Sequence, residues 1–379
     1  MRIEQKRWTK AKGWDPEPLG RLGESAQLVL VFGSTSILRE EKYLTQIKKI
    51  YPKAHLFGCS TAGEICGTQV SDESLVTTAV TFEYTQINGG RITISEVGNS
   101  FHAGERLAQS LDVEGLVHVL VFSDGLRVNG SDLVRGMAKH LPAEVTVTGG
   151  LSGDGERFRE TLVLWDGASV KDAVAVLGLY GNRLKVGCGS LGGWDPFGPE
   201  RLITRSQGNV LYEVDGKSAL EMYKRYLGEH ANGLPATGLL FPLSLRTPNG
   251  ETAVVRTILS VNEEDQSITF AGDVPQGSYA RLMKANFDRL IDGAVGAAKT
   301  SYEAPGCSSP DLALLISCVG RKMVLKQRIE EEVEGVREVL GDRTVLAGFY
   351  SYGEIAPFAP GAKCELHNQT MTITTITEK

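Results

Sequence analysis

The feature that most constrains this chain is an internal repeat. Three segments follow one order of events. The first opens with Leu28-Val29-Leu30-Val31-Phe32 and closes with Ala54-His55-Leu56-Phe57-Gly58. The second opens with His118-Val119-Leu120-Val121-Phe122 and closes with Val145-Thr146-Val147-Thr148-Gly149. The third opens with Leu312-Ala313-Leu314-Leu315-Ile316 and closes with Thr344-Val345-Leu346-Ala347-Gly348. Each begins with a short continuous apolar run, the pattern of a strand covered on both faces. A small polar turn and an amphipathic stretch follow. Tyr43, Leu44, Ile47 and Ile50 share one helical face before Pro52. Leu133, Val134, Met137 and Leu141 do so before Pro142, with Ser131 or Asp132 as cap. Leu325, Ile329, Val333, Val336 and Leu340 do so before Gly341, which suits a C-terminal cap. A strand, a helix and a second strand at this length make a crossover with parallel strands.

Between the repeats, residues 75–84, 91–97, 161–165 and 173–180 read as strands, and 365–376 as one long β-segment. One helix is expected from near Ser218 to Gly228. Another starts near Ser278 and carries Leu282, Met283, Phe287, Leu290 and Ile291. Residues 252–260 and 267–271 form a hairpin around Asn262-Glu263-Glu264-Asp265. The stretch Gly192-Gly193-Trp194-Asp195-Pro196-Phe197-Gly198-Pro199 is too rich in Gly and Pro for an element interior, so a domain boundary is placed just after it. The expected fold is α/β, with mixed sheets built from repeated βαβ units. An N-terminal segment, 1–26, precedes two domains, 27–204 and 205–379.

A net charge of −6 argues against a nucleic-acid partner. The short basic runs Lys48-Lys49 and Arg321-Lys322 read as solvated faces. No apolar run reaches the roughly 18 to 20 residues of a membrane span, so no membrane insertion is expected. The charged N-terminus lacks the apolar segment of a signal peptide. The six cysteines are scattered with no CxxC, which fits reduced thiols and a cytoplasmic location.

The closing turns carry the candidate site. Gly58-Cys59-Ser60-Thr61-Ala62-Gly63-Glu64-Ile65 and Gly348-Phe349-Tyr350-Ser351-Tyr352-Gly353-Glu354-Ile355 agree at four positions with identical spacing. The second unit offers Gly149-Gly150-Leu151-Ser152-Gly153-Asp154. Such turns lie at the carboxyl ends of parallel strands, where open α/β sheets bind ligands. Glycine lets backbone N–H groups approach an anion, hydroxyls add donors, and a carboxylate accepts from an ammonium. Ser60, Thr61, Gly63, Glu64, Ser152, Asp154, Tyr352, Gly353 and Glu354 are therefore the expected ligand-binding residues, for a small zwitterion such as an amino acid. The competing reading is that each acid caps its own turn.

Enzyme motifs are weak. Gly187 to Gly192 spells GxGxxG, but Pro196 and Pro199 deny it the helix that dinucleotide binding needs. Leu211 stands where a phosphate loop ending in Asp215-Gly216-Lys217-Ser218 needs glycine. No catalytic residue is assigned and the chain is read as a non-enzyme. The alternative is a thiol enzyme using Cys59, activated by backbone donors at its strand end.

The first and second closing turns resemble the signature turns of the FIST N-terminal domain. Gly348 to Pro357 and Leu366-His367-Asn368-Gln369-Thr370 resemble those of the FIST C-terminal domain, and Gly208 to Gly216 is similar to the entry into it. The resemblance covers about residues 27–375. It implies a small-ligand sensory module of intracellular signal transduction that acts through a partner protein. Some stand-alone members are haem-binding nitric-oxide sensors that regulate a histidine kinase in a two-component system. That subgroup makes haem b a candidate cofactor, and His230 is the candidate iron ligand.

Overall fold

The computed structural model describes residues 1–16, 19–247, 253–304, 306–358 and 361–379. The three repeats are three copies of one unit. In each, the opening and closing strands pair in parallel: Leu28–Gly33 with His55–Ser60, Leu116–Ser123 with Thr146–Leu151, and Leu312–Cys318 with Val345–Ser351. A returning strand lies antiparallel on the opening strand: Ser74–Thr81, Ala173–Tyr180 or Met371–Glu378. A lead strand covers the returning strand: Arg2–Thr9, Gln86–Thr93 or Leu184–Leu191. Crossover helices Glu41–Ile50, Gly130–Ala138 and Ile329–Leu340 bury the apolar stripes expected of them.

The units are interlocked by exchange. After its closing turn, each chain segment leaves its own sheet and adds a hairpin to a neighbour's. Glu64–Cys66 of the first unit pairs with the third unit's closing strand. Val163–Trp165 of the second pairs with the first's, and Gly353–Pro357 of the third pairs with the second's. The exchange closes a ring of three sheets around one apolar core. At its centre Phe32, Phe122 and Phe349, one from each unit, form a triangle with ring centroids 5.6, 5.5 and 4.8 Å apart.

Residues between the third lead strand and the helix Phe287–Tyr302 form an insert with its own sheet. Its strand order is Val254–Arg256, Leu243–Arg246, Tyr279–Lys284, Asp195–Gln207, Val210–Val214, Ser267–Phe270, Ile258–Asn262. The helix Ala219–Leu227 packs Leu220, Tyr223 and Leu227 into it. Residue 205 falls inside the strand Asp195–Gln207, and the third unit's lead strand precedes it.

Four local expectations are corrected. Residues 91–97 are not one strand: the strand ends at Thr93, and Ile94–Val97 is a helical turn because Thr93 and Glu96 form a capping box. The segment 365–376 is two strands in different sheets, Cys364–His367 and Met371–Glu378, broken where Gln369 takes φ of 64°. The helix expected near Ser278 starts at Phe287, capped by Asn286. Residues Tyr279–Lys284 are instead a strand held between two partners. Pro196 and Pro199 lie inside the strand Asp195–Gln207, which tolerates them because its register shifts between Phe197 and Arg201. The helix from Ser218 to Gly228 and the hairpin around residues 262–265 are observed. Thr252 lies outside the described residues.

The basic pair Arg321-Lys322 is not a solvated face. Arg321 is fully buried and bonds Glu332, 2.8 Å away, and the carbonyls of Gly192 and Leu290. Lys322 reaches back to the Ala62 carbonyl at 2.8 Å and to Asp72.

Candidate functional site

The three closing turns do converge, as their place at the strand ends requires. Ser60 Oγ donates to the Gly153 carbonyl at 2.8 Å, joining the first turn to the second. The Ala62 and Tyr350 backbones join the first to the third, and Tyr352 N–H donates to the Leu151 carbonyl. The Tyr352 hydroxyl reaches Asp154, and its ring stacks on Phe158 at 4.6 Å.

What converges is closed. Glu64 is fully buried and accepts from Thr61 Oγ1 at 2.5 Å and from the Ser74 hydroxyl and N–H at 2.6 and 3.2 Å. Glu354 repeats this with Ser351 at 2.5 Å and the Thr370 hydroxyl and N–H at 3.0 and 3.1 Å. Burial raises both carboxyls, Glu64 to about 7 and Glu354 to about 8, against the lowering by those hydrogen bonds. The second unit has Gly155 at the corresponding position and Ala173 where Ser74 and Thr370 stand, so the acid and its hydroxyl donor are lost together. Asp154 instead accepts three backbone N–H groups, from Phe158, Arg159 and Glu160, at 2.9 to 3.0 Å. Ser152 donates to the Ser123 carbonyl at 2.8 Å. Gly63 and Gly353 are buried in the same layer. A Cβ on Gly63 would lie 2.6 Å from Lys322 Nζ. The nine residues expected at one site are therefore all buried at the converging turns, and their polar groups are engaged mainly by neighbouring residues such as Ser74, Ser123, Ser351 and Thr370.

The thiol alternative meets the same obstacle. Cys59 is fully buried, and burial pushes its thiol well up. A nucleophilic thiolate needs the reverse. His230 lies exposed on the turn Gly228–Gly233, its ring 5.5 Å from Phe241. It lines neither the cleft between the helix Ala219–Leu227 and the strand Asp195–Gln207 nor the hollow where the insert meets the ring. An axial histidine needs an apolar slot beside it, so the residues around His230 do not fit haem.

Open space is found where the insert meets the ring. A hollow of about 250 Å³ lies between the helix Gly130–Ala138, the strands Leu243–Arg246 and Val254–Arg256, and the donated strand Cys364–His367. Arg256, only 7% exposed, lines it. Its Nε donates to the Asp273 carbonyl at 2.9 Å, and Nη1 donates to the Leu366 carbonyl at 3.0 Å, so it ties insert to ring. Nη2 has no hydrogen-bond partner among the described residues. Burial lowers the guanidinium to about 10, against the pull of Asp273 and Glu365, so it stays charged at neutral pH. Asp273 is engaged by Asn129 at 2.8 Å and Arg135 at 3.2 Å. Glu365 is exposed at the rim. Val134, Leu245, Val254, Pro275 and Leu366 supply apolar wall. The arrangement offers one buried cation, one rim anion and an apolar lining.

Sequence reasoning missed these residues because they come from separate elements. One signal was present: Arg256 interrupts the apolar run Val254-Val255-Arg256-Thr257-Ile258-Leu259, and a charge inside such a run is a charge bound for burial.

A protein of Methanocaldococcus jannaschii described as uncharacterized is 26% identical over 340 residues, covering 80% of this chain. The chain spans 62% of that relative's length. Among solved structures, a chorismatase aligns over 99% of this chain and 98% of its own, with 9% identity and a TM-score of 0.36. A cyanuric acid hydrolase from A. caulinodans aligns over 100% and 99%, with 9% identity and a TM-score of 0.38. Likenesses this slight carry neither fold nor chemistry over to this chain. Residues 27–217 match the FIST N domain and 219–357 the FIST C domain. The chain therefore belongs to the FIST family, whose domains are small-ligand sensors in signal transduction.

Proposed function

We propose that this chain senses a small carboxylate-bearing molecule in the hollow between insert and ring, and that an amino acid is its ligand. The observation that carries this is the buried Arg256, with one N–H pair left for a ligand. A carboxylate accepts from Nη2, an ammonium sits toward Glu365, and the side chain lies on Val134, Leu245 and Leu366. The ligand touches both bodies, so its occupancy favours the seated arrangement over a loosened one. A partner protein reads that difference, which requires unequal affinity for the two states. A histidine kinase is one such partner, and the cytoplasm is where these reduced thiols and that partner belong. This is a binding role and assigns no catalytic residue.

Calorimetric titration of an amino-acid panel is expected to show at least one binder that also raises the melting temperature. Glu365→Gln, on the rim, should weaken a zwitterion by about tenfold and leave the matching carboxylate without an ammonium unchanged. A panel with neither heat nor thermal shift sinks the proposal.

A further inference from the structure

The exchanged strand Cys364–His367 ends the second unit's sheet, with Gly353–Pro357 on one side and no strand on the other. Arg256 Nη1 reaches the Leu366 carbonyl and so marks the open side. Backbone groups alternate along a strand, so Cys364, two residues back, also presents its N–H and carbonyl there. The Leu366 N–H and both Cys364 groups have no partner among the described residues. Across the junction hollow, Val254–Arg256 ends the insert's sheet. The hollow thus lies between two open sheet edges.

It also continues past the junction. Val134, Arg135, Cys364 and Glu365 line both the hollow and a groove of about 370 Å³ along the helix Gly130–Ala138. Val134, Ala138, Lys363 and Cys364 line both that groove and a pocket of about 510 Å³. The pocket has an apolar wall of Met137, Leu141, Val147 and Pro357. Comparison of the three seams explains why it is open. In each, a donated strand runs beside a closing strand: Ile65 opposite Gly348, Leu164 opposite Gly58, Ile355 opposite Gly149. Two residues on, Gly67 N–H donates to the Leu346 carbonyl at 3.0 Å and Asp166 N–H to the Leu56 carbonyl at 2.9 Å. The residue in that place in the remaining seam is Pro357, which has no N–H to give Val147, and there the pocket opens.

We propose that hollow, groove and pocket together bind the C-terminal end of an extended polypeptide, the tail of a partner protein, added as a strand beside Cys364–His367. The inference rests on the reading of Arg256 as the carboxylate anchor. The terminal carboxylate accepts from Arg256 Nη2, and the last three residues pair with the open backbone of Leu366 and Cys364. Leu366 turns its side chain to the helix, against Gly130. A residue beside it does the same, and so does the residue two before, beside Cys364. The final side chain therefore lies on Val134 and Leu366, and the third from last enters the pocket.

The probe is a hexapeptide ending in leucine-serine-leucine, labelled at its N-terminus and titrated with the full chain by fluorescence anisotropy. Saturable binding is expected. The same peptide with a C-terminal amide should bind about tenfold more weakly or worse, and so should one with serine third from last. Ala138, exposed on the helix, lines groove and pocket but not the junction hollow. Ala138→Trp should therefore weaken the peptide about tenfold and leave the heat of amino-acid binding unchanged. No anisotropy change, equal affinity for the amide, or equal affinity in Ala138→Trp overturns the proposal. Amino-acid binding without peptide binding removes this inference alone; loss of both removes the carboxylate anchor as well.

Discussion

At the scale of single residues, the informative groups are buried and charged. Glu64 and Glu354 hold their protons to about pH 7 and 8, because burial disfavours the ionised carboxyl. In the unfolded chain each loses its proton near the usual carboxylate value. Their raised values therefore favour the fold fully below about pH 4.5. That contribution is lost as pH rises through about 7 and 8. The melting temperature should fall between pH 5 and 9, by an amount on the order of a few kcal/mol in stability. The double variant Glu64→Gln/Glu354→Gln should flatten that slope; an unchanged slope would refute the assignment. Arg321 and Glu332 form a fully buried salt bridge whose remaining positions are filled by Ser317, Tyr350 and two carbonyls. Arg321→Leu leaves the carboxylate buried alone and should cost about 3–5 kcal/mol in urea denaturation. Restoring part of it with Glu332→Leu would separate lost pairing from lost packing.

At the scale of elements, the closing turns show what repetition does and does not specify. Gly58, Gly149 and Gly348 hold one position in three units. A Cβ on any of them would lie 1.8 Å from the carbonyl oxygen of Val31, Val121 or Leu315 on the parallel neighbour. No side chain fits there, so Gly149→Ala should destabilise by about 1–3 kcal/mol or more, read as a shift in denaturation midpoint. Alanine at Gly58 and Gly348 should act alike. These glycines, the parallel strands and the crossover helices were legible because local pattern dictates them: a continuous apolar run, then a stripe at helical spacing, then a stop. The agreement of the Glu64 and Glu354 turns was legible as well, but not its meaning. Spacing cannot tell whether three donors on a carboxylate come from its own turn or leave room for a ligand. Ser74 and Thr370, ten and sixteen residues on, decide that. The strand Tyr279–Lys284 was misread for a similar reason: Leu282, Met283 and Phe287 fit a helical face, but two sheet partners outweigh that preference.

At the scale of the whole molecule, several bonds seat the insert on the ring, among them those of Asp273 to Asn129, Ser131 and Arg135. The Thr257 N–H donates to Asn368 Oδ1 at 3.1 Å, Gln369 Nε2 to the Leu239 carbonyl at 3.0 Å, and Arg256 to Leu366. The Leu366-His367-Asn368-Gln369-Thr370 stretch is thus the seat of the insert as well as the link between two strands. Hydrogen–deuterium exchange with and without the bound amino acid should show slowing in Val254–Arg256, Gly130–Ala138 and Cys364–His367 together. Protection confined to one side of the junction would mean that the ligand does not bridge it. Among the described residues, no helix is long and apolar enough to cross a membrane. The sequence by itself determined the unit: three strand–helix–strand repeats, their glycine turns and the family they belong to, because each depends on residues near one another along the chain. Only the tertiary structure decided where space remains. Hairpin exchange seals the turns into the core, and hollows open instead at a junction and along an open sheet edge, whose walls come from segments up to hundreds of residues apart. Cavities are set by packing between elements, and no local pattern records them.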